Sequence, residues 1–92
     1  MRKIEQDMWN AINGMYDTDL GNTSVTHTGN QADVHLHGYH IAAINTTTGE
    51  LVVNTTTLAK WPTNTTKSRL RALGADVGTK KGITYLDGEE VC

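Results

Sequence analysis

Three histidines, His35, His37 and His40, crowd one short segment beside Asp33. On an extended strand, residues two apart share a face and stand roughly 6.8 Å apart. The spacing therefore predicts His35 and His37 side by side with Asp33, and His40 returning across a tight turn. Three imidazoles and a carboxylate form a donor set that zinc or another divalent ion accepts. The same pattern arises whenever an antiparallel sheet leaves one face wet. Nothing completes the donor set, because Cys92 is terminal and His27 falls on another strand. The expectation is no bound metal, with His35, His37 and His40 as a second contact patch. A His-based metal-binding protein is the lesser alternative.

A basic stretch is the other candidate. Lys67, Arg69 and Arg71 lie in a segment read as a helix, with Lys60 and Trp61 just before it. A helix N-terminus offers free amides and a positive dipole, so anions are favoured there. Leu70 and Leu73 are expected to face the core, leaving the three cations largely toward solvent. The charge is segregated: residues 1–59 balance to −4, residues 60–81 to +5 and residues 82–92 to −3, within a net charge of −2. A strip of this kind suits either an acidic protein surface or a phosphate backbone. The acidic flanks oppose a polyanion, so protein contact ranks above direct nucleic-acid binding through the helix at 64–73. The partner-binding set is Lys60, Trp61, Lys67, Arg69 and Arg71.

Other chemistry finds no constellation. Ser24 and Ser68 lie in no nucleophile elbow, and the glycines are scattered at turns rather than gathered in a phosphate loop. Asp17 and Asp19 lack the remaining ligands of a calcium loop. The expectation is a protein without catalytic residues or cofactor. A single cysteine permits no internal disulfide, and the Met1–Asp7 segment lacks the apolar run of a secretory signal. No apolar run approaches the roughly 18 residues of a membrane span. The sequons at Asn22, Asn45, Asn54 and Asn64 are read as cap and strand-edge chemistry.

The 92 residues allow one domain, whose core has no Phe and must be built from aliphatic residues, Met, Trp and Tyr. Ile4, Met8, Ala11, Ile12 and Met15 follow one helical stripe, so a helix is predicted over 3–13 with Asn13-Gly14 as its stop. The Asp17–Asn22 stretch reads as a loop. Strands follow over Thr23–Thr28, Ala32–His37, His40–Asn45 and Glu50–Thr56, with Gly38-Tyr39 as one turn. A Thr- or Asn-capped helix over Thr65–Leu73 stops at Gly74. A hairpin over Gly82–Val91 turns at Asp87-Gly88. The class is α+β: an antiparallel meander with an N-terminal helix, a second helix before a C-terminal hairpin, and the helices on one face.

The segments Val34–Ala42 and Trp61–Leu73 resemble a family of short tailed-bacteriophage proteins. The shared pattern is a leucine-histidine-glycine hairpin, a tryptophan, a Thr-rich cap and a lysine-serine-arginine-leucine helix. This chain carries Tyr39 where the family commonly has Asn. The resemblance implies a phage accessory protein made in the host cytoplasm. Many such products disable a host complex, including restriction and CRISPR surveillance machines, some of which carry nucleic acid. The expected function is accordingly a non-enzymatic inhibitor of a host protein complex in anti-defence, with no membrane association. A nucleic-acid-binding module is the alternative.

Overall fold

The computed structural model describes residues 2–91; Cys92 lies outside them. The element order is α1 (Lys3–Gly14), β1 (Thr18–Asp19), β2 (Thr23–Thr28), β3 (Gln31–Leu36), β4 (Tyr39–Asn45), β5 (Leu51–Val53), α2 (Thr55–Lys60), α3 (Asn64–Ala72), β6 (Val77–Lys80), β7 (Ile83–Leu86) and β8 (Glu89–Glu90). The first five strands form one antiparallel sheet in sequence order, and the last three form a second sheet. The fold is α+β, as the segregated periodicities dictate.

Register sets the core. Val25, Val34, Ala42 and Val53 lie in one cross-strand row. They share a face with Thr23, Ala32, Leu36 and Ile44. All but Val53 are buried, and Met8, Ala11, Ile12, Leu58, Leu70, Leu73 and Val77 pack into the same cluster. The opposite face carries Thr26, Asp33, His35 and His40. Between β3 and β4 the register breaks after Val34, leaving Ile41 as an extra residue that is also buried. A bulge of this kind re-aims the side chains beyond it, here Tyr39 and His40.

Four local readings change. The strand expected over Glu50–Thr56 ends at Val53, because Asn54 Oδ1 accepts from Thr57 N at 3.1 Å and caps a helix. That helix, α2, has six residues and is too short to persist alone. It holds because Leu58 is buried, an anchor contributing about 1.5–3 kcal/mol. The turn expected at Gly38-Tyr39 lies at His37-Gly38, both at positive φ (51° and 84°), with Leu36 paired to Tyr39. Two positive-φ residues define a type I′ turn, which matches strand twist. Tyr39 therefore begins the strand. The C-terminal hairpin is preceded by β6, and the polar Thr79-Lys80-Lys81 run that obscured it leads into a second such turn, Lys81-Gly82. The loop expected at 17–22 contains the two-residue β1.

Helix α1 also sits differently. Its buried face is Glu5, Met8, Ala11 and Ile12, while Ile4 is only half-buried. Met15, expected in the stripe, takes the left-handed cap (φ 59°) and is 54% exposed. Gly14 stays helical, and Tyr16 lies against it: a Cβ there would stand 2.7 Å from Tyr16 Cε1, so the position has no room for a side chain.

Candidate interaction surface

Tyr39 and Trp61 are brought together by two turns of chain. Tyr39 emerges from the His37-Gly38 turn at the start of β4. Trp61 is the residue after α2, its N–H donating to Thr57 O and its carbonyl accepting from Thr63 N, each at 2.8 Å. Pro62 and the Thr63 cap of α3 follow at once. The two rings stack with centroids 5.1 Å apart and planes 22° apart. Lys60 Nζ lies 5.8 Å from the Trp61 ring centroid, within cation–π range. Both rings stay open to solvent, Tyr39 at 44% and Trp61 at 39%. Below them is a depression of about 210 Å³ lined by Leu36, His37, Tyr39, Trp61, Thr63 and Thr66.

The histidines do not converge. His37 sits in the turn and is exposed, on the side of Tyr39 and Trp61. His35 and His40 face each other across β3 and β4, rings edge to face at 5.2 Å. His40 is held at both nitrogens: Nε2 lies 3.0 Å from Asp33 Oδ1 and Nδ1 lies 3.3 Å from Asn54 Nδ2. Among the described residues no three His, Cys, Asp or Glu side chains gather to hold a metal ion. The expectation of one face for His35 and His37 fails because the turn begins at His37.

The basic strip is largely turned inward, correcting the expectation for Lys67 and Arg69. Arg69 is 2% exposed: Nη1 donates to Glu5 Oε2 at 2.8 Å and Nε to Thr23 Oγ1 at 3.0 Å. Ser68 Oγ donates to the same Glu5 oxygen at 2.6 Å, and Arg2 N donates to Oε1 at 3.3 Å. Burial pushes the Glu5 carboxyl up, but the bonds from Ser68, Arg69 and Arg2 and the guanidinium charge together hold it below its ordinary value. Lys67 is also buried, its ammonium bonded to Thr79 Oγ1. Arg71 stays exposed, Nε donating to Val77 O at 2.7 Å. Helical periodicity gave Leu70 and Leu73 the core. A neighbouring carboxylate on another helix drew Arg69 in as well.

Of the predicted contact residues, Lys60 and Trp61 stand together, with His37 across the depression, while Arg71 is exposed on α3 and does not line it. Sequence reading missed Tyr39 and Asn54. The hairpin turn chemistry signalled the first, and Asn-Thr-Thr-Thr-Leu, a cap followed by a buried leucine, signalled the second.

The fold and surface define a small α+β protein that presents an aromatic pair beside a hairpin tip. The chain belongs to the Kyanoviridae Gp96 protein family, a family of phage proteins, whose profile matches residues 1–92. No curated protein and no solved structure matches the chain.

Proposed function

We propose that this phage protein is a non-enzymatic accessory protein that binds and inhibits a host protein complex in the host cytoplasm. Anti-defence, against CRISPR or restriction machinery, is the leading role. The observation that carries the reading is the exposed Tyr39–Trp61 stack above an apolar depression. Trp and Tyr dominate protein-binding energetics when they can enter a partner's pocket while their polar edges stay satisfied. Lys60 and His37 supply a polar rim. The inward turn of Lys67 and Arg69 weakens the nucleic-acid alternative, since only Arg71 of the three helix cations remains exposed.

Tagged wild-type protein, Trp61→Ala and Tyr39→Ala are used to capture partners from host lysate with and without nuclease. Truncating a hot-spot aromatic costs about 2 kcal/mol or more, roughly 30-fold in affinity. The expected result is a nuclease-resistant protein complex whose activity the wild type inhibits and both variants release. Equal capture by the variants, or nucleic acid alone, overturns the reading. A charge-reversal triple at Lys67, Arg69 and Arg71 is the wrong probe, because it removes two interior side chains.

A further inference from the structure

We infer that His40 is the positioning residue of the aromatic pair and holds it only as the neutral imidazole with its proton on Nε2. This rests on reading that pair as the contact surface. The Asn54 carboxamide is fixed at both ends. Its oxygen accepts from Thr57 N at 3.1 Å, so its NH2 must face His40 Nδ1 at 3.3 Å. Rotating the amide would set donor against donor at Thr57. Nδ1 must therefore be the acceptor, and Nε2–H donates to Asp33 Oδ1 at 3.0 Å.

From Thr57 the chain of bonds continues to the surface, because the Thr57 carbonyl accepts from Trp61 N. Tyr39 is the residue before His40. One imidazole thus sits between the carriers of both rings. Facing it are Asp33 and His35 from β3, and uncharged Asn54 from the junction of β5 and α2. Asp33 also accepts from Gln31 Nε2 at 2.7 Å. A proton on Nδ1 would oppose the Asn54 amide N–H groups, displace Asn54, uncap α2 and release Trp61. The two protonation forms of His40 therefore differ in the partners they can bind, and only the neutral one accepts from the Asn54 amide that caps α2. Histidine is the side chain that ordinarily changes charge between pH 5 and 8.

The test uses the free protein, so it succeeds or fails independently of partner capture. The indole N–H resonance of Trp61 is followed from about pH 8 to about pH 5, in a His35→Gln/His37→Asn background that removes the neighbouring titrations. Trp9, whose indole donates to Ala72 O, is the reference. His40→Gln keeps one acceptor and one donor but has no charge to gain. The expected result is a single titration of the Trp61 signal toward its position in Asn54→Ala. Adding His40→Gln abolishes the titration and leaves the signal at its high-pH position. A folded His40→Ala protein, checked by circular dichroism, shows the displaced signal throughout. The proposal is overturned by an unmoving Trp61 signal in the background protein, by an undiminished titration with His40→Gln, or by an unshifted signal in Asn54→Ala.

Discussion

Arg69→Ala leaves Glu5 as a buried carboxylate without its guanidinium, and that change should remove a large share of the fold's stability. Glu5 and Arg69 side chains are 5% and 3% exposed, so water cannot replace the lost partner. Removing one member of a buried pair costs about 3–5 kcal/mol. A chain of this length has roughly 5–14 kcal/mol in total. At about 4–8 °C per kcal/mol for a domain of this size, the thermal midpoint should fall by at least about 12 °C. The assay is a circular-dichroism melt at neutral pH, with Arg71→Ala as the exposed control. That control loses one hydrogen bond to Val77 O, about 1 kcal/mol. A midpoint for Arg69→Ala no lower than that of Arg71→Ala would refute the reasoning. The double change Glu5→Leu/Arg69→Met separates charge from packing. Apolar replacement of both partners is often neutral, so it should melt well above Arg69→Ala.

The same carboxylate makes the fold acid-sensitive. Glu5 is held below its ordinary value of 4.5, so its contribution is complete above that value and is lost as pH falls through the lower, folded one. Glu5→Gln should flatten that part of a stability-versus-pH curve, while an unchanged acid limb would refute the assignment. At the β3–β4 turn, His37→Asn should raise the thermal midpoint by a few degrees, because Asn tolerates the left-handed conformation seen at φ 51° better than His does; calorimetry checks it. Binding of naked duplex DNA should gain only about 0.9 in logarithmic salt slope from helix α3, the share of one exposed cation rather than three, measured by titration over a range of salt.

The central sheet was legible because its alternation is strict: Ala32, Val34 and Leu36 face inward, and a one-residue slip would expose them all. Helix α3 was legible from its Thr cap and its leucines. Helix α2 was not, since Thr55, Thr56 and Thr57 carry strand propensity and only Leu58 marks a buried helical position. The candidate surface was half legible. Trp61 and Lys60 are adjacent to a visible cap, but Tyr39 reaches them only because of the Ile41 bulge and a turn placed one residue earlier. Arg69 could not be placed from its own segment. Its partner lies 64 residues away, and no local pattern reports a contact at that distance.

That separation also has a meaning for the growing chain. Every strand pairing joins neighbours in sequence, so each hairpin can close as soon as it is made. Helix α1 is the exception. Glu5 waits 64 residues for Arg69, and Trp9 waits 63 for the Ala72 carbonyl. At synthesis rates of about 5–20 residues per second, the delay is roughly 3–13 s. Through that interval the apolar stripe of the first helix has a sheet to rest on but lacks Leu70 and Leu73, which complete the same core cluster. The ion pair works as a closing latch, set only when nearly three-quarters of the chain has emerged.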